Sequence, residues 1–194
     1  MTLANKVTIA RILLIPVFVV VMLYYRRTGL DWHRWMALGI FAVASLSDAL
    51  DGWIARRFNQ RSQLGAMLDP LADKLLLVAA LILLSRPVAS AHFEALPLWL
   101  VATVLSRDAL MILGFGVIHF TCGRARVRPH WLGKLATVMQ MVVVVLALMD
   151  HLAEFRWWLA LAAALVTGAS TIVYVRDGVG QLSASPKSGP EQSS

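Results

Sequence analysis

Hydrophobic and polar positions along this chain fall into long blocks, not into single-residue alternation. Apolar blocks run from Val7 to about Tyr25, from Trp35 to near Arg57, from Gly65 to about Ser85, from Leu96 to about His119, from Leu132 to Met149, and from Phe155 to about Val175. A helix of about 20 residues, rising 1.5 Å per residue, covers the ~30 Å hydrocarbon core of a bilayer. The pattern therefore predicts an all-α polytopic membrane protein with six transmembrane helices. Arg11 and Pro16 interrupt the first block, Ser106-Arg107-Asp108 sits inside the fourth, and Lys134 lies near the start of the fifth. Pro70 is expected in the first turn of the third helix or just beyond, where a missing N–H costs little. From Gly180 onward Ser, Pro and Gly dominate, so residues 180–194 are expected to form a disordered tail behind one helical domain spanning 1–179. No internal repeat is evident.

Composition supports this picture. The chain has 194 residues, of which 59% are hydrophobic, too apolar for an ordinary soluble domain of that length. A formal net charge of +7 suits anionic lipid and phosphate-bearing substrates. Nucleic acid is not an expected partner, because the basic residues flank apolar spans. Cys122 is the single cysteine, which excludes an intrachain disulfide. The first apolar run contains Arg11 and lacks a small-residue cleavage site, so it does not read as a cleaved signal. Six spans put both termini on one side. With the termini inside, the inner segments carry Lys6, Arg56, Arg57, Arg61, Arg124, Arg126, Arg128, Lys134, Arg176 and Lys187, and the outer ones Arg26, Arg27, Arg34, Arg86 and Arg156. The excess of inner cations predicts cytoplasmic termini. Trp32, Trp35, Trp131, Trp157 and Trp158 fall near span ends, where indoles anchor at the interface.

The candidate chemistry lies between Asp48 and Asp73. Asp48 and Asp51 are three residues apart and Asp69 and Asp73 four apart, so each pair shares a helix face. Gly52 lies one turn after Asp48 and Ala55 one turn after Asp51, which lines that face with small residues and lets a ligand approach the backbone. Each Asp near a bilayer centre costs roughly 2.5–3.5 kcal/mol, before any mutual repulsion. Divalent cations with hard oxygen preference, magnesium or manganese, would remove both costs. The bland reading, four helix-end carboxylates solvated separately, explains neither the small residues nor Arg56.

Asp48-x-x-Asp51-Gly52-x-x-Ala55-Arg56, followed after eight residues by Gly65 and then by Asp69 and Asp73, resembles the signature of the CDP-alcohol phosphatidyltransferases. The resemblance extends over nearly the whole chain to about Arg176. It implies an integral membrane enzyme that cleaves a CDP-alcohol with two divalent cations, Mg2+ or Mn2+, and releases CMP. By resemblance Asp48, Asp51 and Asp69 are metal ligands, and Asp73 is both a ligand and the general base. Gly52, Ala55, Arg56 and Gly65 belong to the CDP-binding part. Thr8 and Arg11 are expected at the nucleotide phosphates, with snorkelling of Arg11 as the competing reading. A homodimer is also implied.

Three further stretches bear on the acceptor. Asn5-Lys-Val-Thr8-Ile-Ala-Arg11 with Pro16 resembles the opening of the anionic-lipid branch. Ser106-Arg107-Asp108 resembles the CMP-forming cardiolipin synthases, whereas phosphatidylglycerophosphate synthases more often have Glu after the Arg. Arg128 to Gln140, with its Gly-Lys-x-x-Thr-x-x-Gln core, is similar to both. The resemblance favours CDP-diacylglycerol as donor and phosphatidylglycerol as acceptor, with glycerol 3-phosphate as the alternative. Arg107 and Lys134 are the expected acceptor contacts; an interhelix pair for Arg107 and snorkelling for Lys134 are the structural readings. As chain neighbours Arg107 and Asp108 are not expected to pair with each other. Lys74 points ~100° away from Asp73 around the helix and is left structural. From other classes, a cation transporter would show discontinuous spans meeting at the midplane, and a membrane scaffold would need no carboxylate cluster.

Overall fold

The computed structural model describes the backbone of residues 3–58, 63–88, 93–122, 131–150 and 153–183. Within these it describes the side chains of 9–47, 71–88, 93–114, 116–117, 131–150 and 155–180. The described chain is helical: α1 (Leu3–Thr28), α2 (Asp31–Phe58), α3 (Gln63–Leu84), α4 (Leu98–Cys122), α5 (Trp131–Met149) and α6 (Ala153–Ser183). Each apolar block has become one helix, and most helices overrun their block. α1 starts ahead of Val7 and passes through both Arg11 and Pro16. α3 starts at Gln63, ahead of Gly65, so Pro70 lies about two turns in, beyond its expected place. α6 continues through Arg176-Asp177 and Gly180 to Ser183, because nothing in that stretch breaks a helix before the proline at 186. The rest of the expected tail, 184–194, lies outside the described residues.

Within the described residues, three segments are long and apolar enough to cross a membrane: Ile9–Thr28, Trp131–Met149 and Phe155–Gly180. The packing is that of a bundle in lipid. α1 packs on α2 and α3, α6 packs on α4 and α5, and α5 joins the two groups by resting on α2 and α3. Phe18, Met22, Phe41, Leu76, Leu84, Leu100 and Leu148 fill the core. Leu13, Val20, Leu46, Ile112, Leu113, Leu165 and Ile172 are as apolar and stand exposed on the outside. An exterior no more polar than the core is expected where the surrounding solvent is acyl chain. Trp32, Trp35, Trp131, Trp157 and Trp158 are all exposed near helix ends.

Two local features set the helix positions. Gly29 adopts a left-handed conformation at φ 67° and its N–H bonds the Tyr25 carbonyl at 2.8 Å, which stops α1 and allows α2 to begin two residues later. Gln140 of α5 donates from Nε2 to Thr167 Oγ1 of α6 at 2.9 Å, both buried. That bond fixes the register of the α5–α6 hairpin, since an unpaired amide inside the bundle would be costly.

The end of the bundle where α5 gives way to α6 holds a charge cluster that sequence reasoning missed. Asp150 sits just past α5 with φ 54°. It takes Arg34 Nη1 of α2 at 2.9 Å and Arg156 Nη2 of α6 at 2.6 Å. Arg156 also donates to the Glu94 carbonyl and lies over the Phe93 ring, 5.4 Å from its centroid. Phe93 in turn makes an edge contact with Tyr25. Arg34 and Arg156, read from sequence as surface charges, are buried, because helix packing supplies a carboxylate neither could find locally.

Candidate active site

α2 and α3 form a helical hairpin and pack on each other. Asp48 lies ten residues before the end of α2 and Asp73 ten residues after the start of α3; Asp51 and Asp69 lie seven and six residues from those same ends. At a common rise per residue, this puts Asp48 level with Asp73 and Asp51 level with Asp69 across the hairpin. Gly52, Ala55 and Arg56 follow on the last turns of α2, and Gly65 lies in the first turn of α3. The side chains of Asp48, Asp51, Gly52, Ala55, Arg56, Gly65 and Asp69, with that of Thr8 on α1, lie outside the described residues. Asp73 is described. Four aspartates whose backbone positions are level in pairs offer, by residue chemistry, a hard oxygen donor set that would fit a divalent cation.

Arg11 is brought to this hairpin. It is 1% exposed, so it does not snorkel, and its Nη1 lies 3.6 Å from Asp73 Oδ1. α1 packs on both α2 and α3, and Arg11 lies seven residues, about two turns, before the core residue Phe18, so the two share a face and the guanidinium is delivered inside the bundle. A buried arginine beside a carboxylate of the motif is the contact that helical spacing within one element cannot reveal.

About 100° around α3 from Asp73 a second polar group assembles. Lys74 Nζ lies 2.6 Å from Asp108 Oδ1 of α4, and Arg107 Nη1 lies 3.2 Å from the same oxygen. The neighbours Arg107 and Asp108 therefore do pair, contrary to expectation: a long flexible guanidinium reaches back to a carboxylate about 100° away around the helix. Arg107 is 5% exposed and its Nε has no hydrogen-bond partner. Its Nη2 lies against the α5 backbone at Gly133, where an added Cβ would stand 3.2 Å from Nη2 and 3.4 Å from the Tyr174 hydroxyl of α6. A side chain at Gly133 would therefore crowd the guanidinium by a few tenths of an ångström. Lys134 follows it and is exposed, in contact with neither the Arg107 guanidinium nor Asp108 in any described ion pair. Lys74 and Asp108 are the residues the sequence reading left without a role; the Asp after Arg107 was the available signal, since a mid-span arginine usually faces a carboxylate.

Comparison with known proteins places the chain in a family. Residues 1–169 match the model of the family described as CDP-alcohol phosphatidyltransferase. The chain is 34% identical over 188 residues to a CDP-diacylglycerol–glycerol-3-phosphate 3-phosphatidyltransferase of Bacillus subtilis, covering 86% of this chain and 91% of the relative. It is 34% identical over 183 residues to a CMP-forming cardiolipin synthase of Streptomyces coelicolor, covering 92% and 80%. A probable phosphatidylglycerophosphate synthase of Mycobacterium tuberculosis is 34% identical over 181 residues, covering 91% and 78%. With a family match that spans most of its length, the chain belongs to the CDP-alcohol phosphatidyltransferase family of membrane enzymes.

Proposed function

We propose that this enzyme transfers the phosphatidyl group of CDP-diacylglycerol to the free hydroxyl of phosphatidylglycerol, forming cardiolipin and releasing CMP. Asp48, Asp51, Asp69 and Asp73 are the residues that would hold two divalent cations, Mg2+ or Mn2+. Those ions, when bound, supply charge neutralisation of the pyrophosphate and of the departing CMP. Asp73 takes the proton of the acceptor hydroxyl, whose oxygen then forms the new bond to the phosphatidyl phosphorus as the bond to CMP breaks. A free alcohol is a weak nucleophile near neutral pH, so this proton transfer is required. Thr8, Arg11, Gly52, Ala55, Arg56 and Gly65 bind the CDP moiety, with Arg11 orienting Asp73 from 3.6 Å. Arg107 and Lys134 bind the acceptor. The site faces the cytoplasm, as the inner excess of cations implies, and the six helices span the membrane.

The observation that carries the acceptor choice is the Lys74–Asp108–Arg107 group, whose formal charges leave a single net positive charge beside α3. That suits the one charge of a phosphodiester better than the near-dianion of a terminal phosphate. Glycerol 3-phosphate is the second reading, favoured by the names of the Bacillus and Mycobacterium relatives. Purified enzyme given labelled CDP-diacylglycerol and magnesium should make cardiolipin from phosphatidylglycerol, and little phosphatidylglycerophosphate from glycerol 3-phosphate. Efficient use of glycerol 3-phosphate alone would reverse the choice of acceptor.

A further inference from the structure

The charge cluster at the α5–α6 end of the bundle places cations where helices favour anions. Arg34 is the fourth residue of α2 and Arg156 the fourth of α6. A helix N-terminus carries roughly half a positive charge, so a guanidinium within the first turn is disfavoured. Both arginines are nonetheless buried, and Asp150 is the carboxylate they share. Their donors are used unequally. Arg156 commits Nη2 to Asp150 and Nη1 to the Glu94 carbonyl. Arg34 gives Asp150 its Nη1. The opposite edge of the Arg34 guanidinium, Nε with Nη2, is a side-on fork that matches two oxygens of a carboxylate or a phosphate. There Nε is buried without a hydrogen-bond partner, and Nη2 meets Asp31 Oδ1 at 3.2 Å. The Asp31 side chain is 71% exposed, so it is a weakly held anion that fills half the fork.

Indoles give the depth of this fork. Trp35 follows Arg34 and Trp157 follows Arg156, and both stand exposed, as do Trp32 and Trp158. The Arg34 guanidinium lies over the Trp35 ring, 5.9 Å from its centroid. Exposed indoles beside an apolar exterior settle at the headgroup level of a bilayer, where the abundant anion is the lipid phosphate. Arg34 precedes Asp48 by 14 residues on α2, ~21 Å along the axis, so the fork is remote from the carboxylate hairpin. We propose that the Nε–Nη2 edge of Arg34 binds the phosphate of an anionic phospholipid in the leaflet at this end of the bundle. The phosphate displaces Asp31 and takes both donors of the fork. Nη1 stays on Asp150, which Arg156 holds in place. An anionic headgroup is preferred to a zwitterionic one, because Arg156 and the helix N-termini repel an attached ammonium. The bound lipid fastens α2 to the α5–α6 end and takes no part in phosphatidyl transfer.

Thermal unfolding of the full chain in non-ionic detergent tests the site, with phosphatidylmethanol as the titrant. That lipid carries one phosphodiester charge and no hydroxyl, so it cannot serve as an acceptor. The wild-type melting temperature should rise by about 3–6 °C near ten times Kd, and by less with phosphatidylcholine. Asp31→Asn removes the competing carboxylate from an exposed position, and should lower the lipid concentration at half-effect about threefold. Arg34→Met/Asp150→Asn/Arg156→Met strands no charge and should lose the rise. An equal rise in that triple variant overturns the site. So does an absent rise in the wild type, or an Asp31→Asn midpoint equal to that of the wild type. An equal rise with phosphatidylcholine overturns the choice of an anionic headgroup. Inorganic phosphate tests a free anion as the source: a shift with it, and none with phosphatidylmethanol, overturns the lipid.

Discussion

Replacing Asp150 is expected to loosen the fold without touching catalysis, and two substitutions there separate charge from backbone strain. Asp150 neutralises Arg34 and Arg156, whose side chains are 10% and 5% exposed. Arg34 has a second partner in Asp31, but that carboxylate is 71% exposed and its contribution is small. Asp150→Asn keeps the shape and tolerates φ 54°, so it isolates the loss of charge. Removing one partner of a buried ion pair costs about 3–5 kcal/mol, and the retained amide oxygen puts Asn near the lower value. For a chain of this size ~3 kcal/mol corresponds to a fall in melting temperature of about 6–12 °C. Asp150→Ala loses the acceptor altogether and adds about 1–2 kcal/mol for a left-handed alanine, so it should melt lower still. Asp150→Asn combined with Arg34→Met and Arg156→Met leaves no charge stranded and should recover most of the loss. The assay is thermal unfolding in detergent, followed by intrinsic tryptophan fluorescence. Turnover of the folded variants at low temperature should stay at the wild-type value, because Asp150 lies ~25 Å along α5 from Gly133. A melting temperature for Asp150→Asn within about 1 °C of the wild type would refute the reasoning, as would Ala and Asn melting together.

Exhaustive chelation should abolish transfer, and Asp48→Asn, Asp51→Asn or Asp69→Asn should each lower turnover by on the order of a hundredfold or more; measurable activity after chelation, restored by no added magnesium or manganese, would exclude the metal role. Gly133→Val should raise the acceptor KM about tenfold while CDP-diacylglycerol is used normally, since branched methyls at a position already 3.2 Å from Arg107 Nη2 force the guanidinium out by about 1 Å. Equal effects on both substrates would mean that the glycine serves packing alone.

What the sequence made legible, and what it hid, divides along a physical line. Block hydrophobicity located all six helices, because the length of an apolar run is a property of consecutive residues. It placed their ends less well: Arg176-Asp177 looked like an end and is helical, since polarity alone does not stop a helix. The two carboxylate pairs were visible through spacing within α2 and within α3. The partners of Arg11, Lys74 and Arg156 were not, because each lies on another helix and depends on how the bundle packs. Asp150 gave no warning, as an isolated acid after an apolar run reads as a solvated turn. Arg107 and Asp108 misled for the opposite reason: helical spacing describes Cβ directions, while the reach of an arginine exceeds them.

The α5–α6 hairpin has a consequence for insertions and deletions. Gln140 meets Thr167, and seven residues away on each helix Gly133 meets Tyr174, so one register governs the whole interface. Surface turns ordinarily absorb an added or lost residue without harm. The link between α5 and α6 has no such freedom. One extra residue there, carried into α6, rotates every later position by ~100° and advances it by ~1.5 Å. Thr167 would leave Gln140, and Tyr174 would swing off the wall that confines Arg107. The length of a turn on one side of the bundle is therefore a dimension of the Arg107 site at the other.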